Sequence, residues 1–509
     1  MKTAIILSNA VHARLHEADR EAKLIVQKAL QYTVEGHEAS IQFKSGRWDG
    51  KSSFFDFRKC SFPAGFVHFV TAHLRREGYE VRHVKKPLPP ALGPVFDPTG
   101  SDPRWDYQPQ VVEKLVKHGQ IIAQVATGGG KSRIGRLAFK RINRPTLFLT
   151  TRQLLMYQMA EGFEEDGVSV SILGDGSFGH VRADGRSAIK KMSVGMVQTL
   201  AARLQDPNPK HSKAKQVQQA AIKAQTIELL GKFEFVMLEE AHESSGDSYF
   251  QIMSHCKNAY YRLALTATPF MKSDEEANMR LHAVSGPIGM KVSEKLLIDR
   301  GILAKPYFKY IRLLRKPEHM LRNLNWQAAY RIGIVENPER NASIVFEVSR
   351  GVQHGLTAMV LVQHTKHGEI LLEMMKKAKL RAIFIQGSDS HEERKVALGY
   401  LGAGKIDVLI GTTILDVGVD VPAVGMMVLA GGGKAEVALR QRIGRTLRAK
   451  KTGSNVCFVV DYEDRFNTNL LKHSMQRREI VEGTEGFCEG ILPAGADFDF
   501  SGLGFLKAA

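Results

Sequence analysis

Cysteine is scarce in this sequence: four among 509 residues (Cys60, Cys256, Cys457 and Cys488), far apart and with no Cys-x-x-Cys pair. That scarcity excludes a disulfide framework, argues against a zinc module and fits a reducing compartment. No apolar run approaches the roughly 18–20 residues of a membrane span. The stretch Ala4–Leu7 is too short for a signal-peptide core, so a cytoplasmic protein is expected. Acidic residues are also in deficit. Lys and Arg number 71 against 53 Asp and Glu, which leaves a net charge of +18 and a pI near 9.6. Such an excess favours a polyanionic partner, nucleic acid first and an acidic membrane surface second. The length suggests three or four domains at roughly 100–200 residues each. A hydrophobic fraction of 43% is enough for sizeable cores.

What is there falls into segments. Residues 1–94 read as a small α+β unit. Its expected parts are a helix over Glu17–Gln31 with Leu24, Ile25, Ala29 and Leu30 on the apolar face, and a hairpin from Ala39–Phe43 and Ser53–Arg58. A helix over Gly65–Glu77 and a strand over Glu80–Val84 follow. Lys85-Lys-Pro-Leu-Pro-Pro90 reads as a linker. From about residue 107, apolar strands alternate with helical segments: Ile121–Val125, Thr146–Thr150, Lys191–Met196, Phe235–Leu238 and Tyr261–Thr266. A second series comprises Ala358–Gln363, Ala382–Gln386, Val408–Thr412, Gly425–Ala430 and Val456–Asp461. Alternation of this kind predicts parallel α/β sheets. Two tandem α/β domains are therefore expected, at 95–290 and 291–464, with an irregular tail over 465–509.

The strongest local signal is Ile121-Ile-Ala-Gln-Val-Ala-Thr-Gly-Gly-Gly-Lys-Ser132, an apolar strand running into a glycine loop and then a helix. Glycines let backbone N–H groups curl around phosphate oxygens, and the helix N-terminus adds a favourable dipole. Thr127, Gly128, Gly129 and Gly130 are the expected cradle, Lys131 reaches the β- and γ-phosphates, and Ser132 ligates Mg²⁺. ATP and Mg²⁺ are the implied cofactors. Phe235-Val-Met-Leu-Glu-Glu-Ala-His242 supplies a second carboxylate element at a strand end, where it faces the ligand crevice. Glu239 is expected to hold Mg²⁺ through water, and Glu240 to orient or deprotonate the attacking water.

Over roughly residues 104–464 the sequence resembles superfamily 2 helicases, whose motifs occur here in the family's order. Tyr107-Gln108 resembles the adenine-reading element. Thr150-Thr-Arg-Gln153 and Val197-Gln-Thr199 resemble strand-contacting elements, which makes Thr151, Arg152, Gln198 and Thr199 nucleic-acid candidates. Glu239-Glu-Ala-His242 resembles the DEAH box with Glu in place of Asp, and Leu265-Thr-Ala-Thr-Pro269 resembles the element that couples hydrolysis to movement. Gly411–Pro422 resembles motif V, and Gln441-Arg-Ile-Gly-Arg-Thr-Leu-Arg448 resembles motif VI. The resemblance implies two RecA-like motor domains. It implies that Arg445 and Arg448 are arginine fingers, that Gln441 contacts the γ-phosphate region and Asp420 the ribose, and that Thr412 contacts nucleic acid.

Outside these motifs, Glu294–Ala304, Tyr330–Asn341, Gly46-Arg-Trp-Asp-Gly50 and Phe62-Pro-Ala-Gly65 resemble the phage UvsW-type branch-migration helicases and the XPB-like group. That resemblance implies a DNA partner (forks, junctions, R-loops), a monomer, and action in a host cytoplasm if the protein is phage-encoded. Charge agrees with it. Residues 1–100 hold 15 Lys/Arg against 10 Asp/Glu, a difference of +5, and residues 301–450 hold 23 against 13, a difference of +10. Arg47, Lys51, Arg58 and Lys59 are the expected phosphate contacts of the N-terminal domain. Trp48, Phe54 and Phe55 read either as base-stacking groups or, more often for aromatics, as core. The basic stretch Arg203–Lys232 reads equally well as a DNA contact or as a solvated helix. An RNA helicase, the motor subunit of a restriction system and a non-catalytic nucleic-acid clamp are the alternative readings.

Overall fold

The structure is a computed structural model that describes residues 2–96, 102–178, 180–181, 187–240, 247–270, 275–412, 424–433, 436–450 and 453–507. The chain forms two compact units, Met1–Val125 with Gly130–Lys291, and Ala126–Gly129 with Val292–Ala509.

The first unit is built on an eight-stranded sheet. Its order is Ser177–Phe178, Val170–Gly174, Met192–Met196, Thr146–Thr150, Phe235–Glu239, Tyr261–Thr266, Gln120–Val125 and Ile288–Val292. Thr146–Thr150, Phe235–Glu239 and Tyr261–Thr266 are buried at every position. Parallel strands covered by helices on both faces need such unbroken apolar runs, which is why these were legible in the sequence. Val170–Gly174 and Ile288–Val292 were not anticipated. Arg262, on the strand Tyr261–Thr266, is buried. Instead of a carboxylate it donates to the carbonyls of Met253, Cys256, Ala259 and Val284 at 3.0–3.4 Å. Burial lowers its pKa to about 10, which leaves it protonated at neutral pH.

A smaller four-stranded sheet belongs to the same unit, in the order Ser61–Pro63, His12–His16, Lys2–Ser8 and Tyr79–Lys85. The helices Arg20–Ala29 and Val67–Arg76 cover it. The expected hairpin is corrected here. Ile41–Lys44 is a single helical turn, and it is Gln31–Thr33 that pairs with Lys51–Ser53. The first helix buries Ala22 and Val26 and leaves Leu24 50% exposed, so its apolar face is rotated from the expected one. Phe55 is buried, Phe54 packs against Tyr32, Phe66 and Phe250, and the Trp48 indole donates to the Lys51 carbonyl at 2.6 Å. The two phenylalanines are thus core.

The Pro-rich segment is no free linker. Tyr261 Oη donates to the Pro89 carbonyl at 2.6 Å, and Arg144 donates twice to that of Pro90 at 2.8 and 2.9 Å. A Cβ on Gly93 would lie 1.8 Å from the Lys140 carbonyl oxygen, and one on Gly65 would lie 2.0 Å from that of His282. Ala283 is part of the small sheet's own core. The N-terminal sheet is therefore seated on the eight-stranded sheet's layer with backbone against backbone.

The second unit carries a six-stranded parallel sheet in the order Lys305–Arg312, Val456–Glu463, Met426–Val428, Ala358–Leu361, Val408–Gly411 and Ala382–Ile385. Lys305–Arg312 was missed because its charged residues and Pro306 break the apolar run, as an edge strand allows. Nor is the tail irregular throughout. Thr468–Glu482 is a helix capped by Asn467, and the last residues cover the sheet. Phe498, Phe500 and Phe505 ring Phe458 with centroids 4.8–5.7 Å away, and Ile491 bridges to Phe308 on the edge strand. Asp497 receives hydrogen bonds from Lys309 and Arg350 at 2.8 Å each. Burial works against ionisation there, but these two donors hold the carboxyl down to about 2.

A buried ionic group lies under one face of this sheet. Arg477 grips Asp461 through two nitrogens, at 2.9 and 2.8 Å, and reaches the Gly433 carbonyl at 3.1 Å. Arg340 donates to Asp464 at 3.0 Å and to the Ala430 carbonyl at 2.5 Å, with its guanidinium 4.5 Å from the Tyr462 ring centroid. Two arginines and two aspartates keep the group neutral. Removing one member leaves a buried charge without its counter-ion, a loss of about 3–5 kcal/mol. Arg477→Met should therefore lower the denaturant midpoint of the second unit's unfolding by a corresponding amount; an unchanged midpoint would refute the role.

Candidate functional site

Around the eight-stranded sheet the expected helicase-motif residues within the described region lie at or just past the carboxyl end of a parallel strand, apart from the Tyr107-Gln108 pair. The phosphate loop follows Gln120–Val125, and Gly130 caps the helix Lys131–Ile142 from the left-handed region at φ 75°. Gly128 has φ 87°. Tyr107 and Gln108 begin the helix Tyr107–His118 and are both buried, with Trp105 beside Tyr107 at 6.1 Å between centroids. A Cβ on Gly130 would fall 2.4 Å from Gln108 Nε2, so the Gln108 side chain lies against the loop's last glycine. Lys131 is half-buried and Ser132 exposed.

Glu239 ends its strand and is buried, and the Tyr249 hydroxyl lies 3.5 Å from its carbonyl oxygen. Glu240 has φ 47°, a conformation that L-residues adopt rarely and at a cost. His242 and Asp420 lie outside the described residues.

The strand-contacting candidates form one cluster. Thr146–Thr150 and Met192–Met196 are parallel neighbours, with Thr150 opposite Met196. Thr151, Arg152, Gln198 and Thr199 therefore emerge side by side. Gln198 Nε2 donates to the Thr151 carbonyl at 3.0 Å, and Arg152 N donates to Thr150 Oγ1 at 3.2 Å. In the coupling element Thr268 N donates to Thr266 Oγ1 at 3.2 Å. Sheet order places Phe235–Glu239 directly between the strand that ends at Thr150 and the strand that ends at Thr266.

Arg47, Lys51, Arg58 and Lys59 are all exposed, with Lys59 3.8 Å from Asp56. In the basic stretch Lys223 is engaged by Asp206 at 2.6 Å and Lys232 by Glu228 at 2.7 Å. Arg203 lies 3.7 Å from the Phe178 ring centroid. These contacts favour the solvated-helix reading for that half of the stretch, while Lys210, Lys213 and Lys215 remain exposed.

In the second unit Thr412 follows Val408–Gly411 and is buried. Gln441 and Arg445 lie on the helix Glu436–Thr446, with Gln441 buried, Arg445 half-buried and Arg448 exposed just beyond the helix end. A Cβ on Gly444 would come 2.8 Å from Thr127 Cβ, so this helix position has no room for a side chain. Sequence reasoning did not assign the residues that brace the helix. Arg440 pairs with buried Glu294 at 2.7 Å, Ala304 N donates to the Leu447 carbonyl at 2.6 Å, and Leu303 bridges to Arg448. Glu294–Ala304, noted only as a family likeness, thus holds motif VI at both ends. Also unassigned was a cavity of about 460 Å³ whose lining includes Trp326, Gln363, Arg442, Asn469 and His473. Trp326 and His473 have ring centroids 4.4 Å apart there.

Two family models match the chain: "Type III restriction enzyme, res subunit" over residues 103–271 and "Helicase conserved C-terminal domain" over 341–450. The chain belongs to the superfamily 2 helicases, enzymes that couple ATP use to work on nucleic acid. Within them it resembles the UvsW type. It is 22% identical over 454 residues to the ATP-dependent DNA helicase uvsW of Enterobacteria phage T4, covering 84% of this chain and 85% of that one. It is 22% identical over 382 residues to putative helicase 22 of a Sulfolobus islandicus filamentous virus; that match covers 72% of this chain and 64%, just under two thirds, of the viral protein. The crystal structure of T4 UvsW aligns over 94% of this chain and 96% of its own, at 20% identity and a TM-score of 0.44. Among the described residues no helix is long and apolar enough to cross a membrane.

Gly130→Ala combines a strained φ, worth about 1–2 kcal/mol, with a collision at Gln108. ATP turnover should fall about tenfold or more. Gly176→Ala, at φ 76° with nothing within 4 Å, carries the strain without the collision and should leave turnover near wild type. Equal losses in the two variants would refute the Gln108 contact.

Proposed function

We propose that the protein is an ATP- and Mg²⁺-dependent DNA translocase that remodels branched DNA by branch migration, fork regression and R-loop unwinding. The observation that carries the motor part is the convergence, on one edge of one sheet, of a glycine loop backed by Gln108, the Glu239–Glu240 pair and the Thr151–Gln198 cluster. The branched-DNA part is supported by the extent of the likeness to uvsW, which covers 84% of this chain and 85% of that one, and by the basic excess of residues 1–100 and 301–450.

The loop fits a triphosphate. Its positive-φ glycines leave no Cβ in the way, and the helix from Lys131 offers its N-terminal amides. Lys131 neutralises the β- and γ-phosphates. Ser132 and Glu239 are the groups that would hold Mg²⁺, which when bound offsets phosphate charge. Glu240 orients the attacking water, and its strained backbone fixes the carboxylate relative to Glu239. Arg445 and Arg448 stabilise charge on the transferring phosphoryl group, and Gln441 senses it. Strand Phe235–Glu239 sits between the strand-contacting cluster and the Thr266–Thr268 turn, so a shift at the carboxylates has a short path to the DNA grip.

Two measurements test this reading. The first compares ATP turnover and unwinding on matched fork, four-way junction, R-loop, simple duplex and RNA duplex substrates, with Lys131→Ala as the inactive control. Junction and fork DNA should stimulate wild type most. Stimulation by RNA alone would favour the RNA-helicase reading, and full activity in Lys131→Ala would sink the site assignment. The second is Arg448→Ala, which should keep nucleotide affinity and slow hydrolysis about 10³-fold or more, as the loss of an arginine finger does. Lost binding with intact chemistry would show that Arg448 is not a finger.

A further inference from the structure

The amino edge of the first sheet, opposite the edge that carries the helicase motifs, has a cavity of about 550 Å³. Three parts of the chain build it. The N-terminal sheet and its helix give Ser8, Asn9, His68, Thr71, Arg75 and His83. The Pro-rich segment gives Lys85 and Lys86. The residues just before or at the starts of the motor strands (His118, Gln120, Tyr260, Gly286) close it. A second cavity of about 670 Å³ shares Ser8, Asn9, Lys85 and Lys86 with the first and adds His12 and Arg14. The two meet at these four residues, around the end of the small sheet, as one basic trough. Among the described residues neither cavity is lined by a single carboxylate, in a chain with 53 of them.

The trough's chemistry is that of a phosphodiester backbone site. It combines exposed Arg14, Arg75, Lys85 and Lys86 with neutral donors from Ser8, Asn9 and Gln120, and histidine nitrogens line its walls. Phosphate contacts in nucleic-acid complexes come from this set of groups. The walls are also fixed. Gln120 Nε2 donates to the Ala10 carbonyl at 3.0 Å, Thr71 Oγ1 lies 3.1 Å from His83 Nε2, and the segment beyond Lys86 is held by Tyr261 and Arg144. A strand bound here moves with the first motor unit as one piece.

We propose that this trough is a second nucleic-acid site that grips the sugar-phosphate backbone of a further arm of the substrate while the carboxyl edge handles the translocated strand. The proposal rests on the DNA-motor reading above. Six residues of strand at about 3.3 Å each separate the two edges by roughly 20 Å, so one nucleotide cannot serve both sites. Two linked sites raise avidity only for a substrate that reaches both, which is the property that would select a junction over a simple strand.

The test uses the full chain with Arg75→Glu, Lys85→Glu and Lys86→Glu combined, and the milder Lys85→Gln/Lys86→Gln pair. All three side chains are exposed, so the fold should survive; circular dichroism and single-strand-stimulated ATP turnover check that it does. Four-way-junction affinity should fall tenfold or more in the triple variant and less in the pair. The slope of log affinity against log salt should shrink by about 2–3, at roughly 0.9 for each phosphate released. Turnover with a saturating short single strand should stay at the wild-type value. Unchanged junction affinity and slope, with wild type stimulated by DNA, overturn the trough alone. If wild type responds to no nucleic acid, the motor reading falls and takes the trough with it. Displacement of junction DNA by poly-glutamate in wild type but not in the triple variant would assign the trough to an acidic polypeptide and overturn the proposal as well.

Discussion

Parallel strands joined by helical crossovers must all run the same way, so their carboxyl ends share one edge of the sheet. The rest of this molecule's chemistry depends on that constraint. Residues more than a hundred positions apart in sequence, from Thr127 to Thr268, are delivered to one line of strand ends. No side-chain hydrogen bond is needed to bring the glycine loop near the acidic pair. The hydrogen-bonded registers of Gln120–Val125, Tyr261–Thr266 and Phe235–Glu239 do it. The contacts between motifs, such as Gln198 with Thr151 or Gln108 against Gly130, then refine positions that the sheet has already fixed to within a strand spacing.

The second unit adds a different kind of support. Its family-like segments outside the motor motifs are braces. Asn337 caps the helix Pro338–Gln353 by accepting from Arg340 N, Arg340 reaches Asp464 and the Ala430 carbonyl, and Asn341 meets His367 at 2.9 Å. Burial pushes the Asp464 carboxyl up, and Arg340 and Arg477 oppose that shift. Burial drives His367 down to about 3, with Arg340 adding to it, so the ring is neutral and acts as a hydrogen-bonding spacer. Both arginines end on carbonyls of the 430–433 turn, which leads into the motif VI helix, and Arg440–Glu294 holds that helix from its other side. An apolar core would fill the same space, but it could not hold the particular carbonyls of the turn before this helix.

What was legible in the sequence follows from the same physics. Strands buried on both faces wrote themselves as apolar runs, and the phosphate loop as glycines before Lys-Ser, because local geometry alone demands those residues. Lys305–Arg312 and Lys2–Ser8 were illegible because edge position or a half-exposed face lets polar residues in. The tail helix Thr468–Glu482 was missed for a related reason: it buries only Leu470, Ser474, Arg477 and Val481, and two of those four are polar because their partners are ionic or backbone groups. The braces were beyond a sequence reading altogether. Glu294 and Arg440 are 146 positions apart, and neither has a local signature. Lys85-Lys86 read as linker because proline follows, and its role as a cavity wall exists only once the N-terminal sheet is seated.

That seating changes how the accessory region is to be understood. A tethered DNA-binding module would add affinity and nothing else, since a flexible link transmits no direction. Here Gly65 and Gly93 press backbone against backbone, and Ala283 of the motor completes the small sheet's core, so the N-terminal sheet and the first motor sheet are one body. Removing residues 1–90 would strip the cover from that shared core, and the resulting losses could not be assigned to DNA contacts. Charge reversal on the exposed rim is the cleaner instrument. A rigid body with a grip at each end of its strands can also do what a tether cannot. On the proposed reading, what the amino edge holds travels with the carboxyl edge as it advances along a strand, and two duplex arms drawn in a fixed relation past a branch point constitute branch migration.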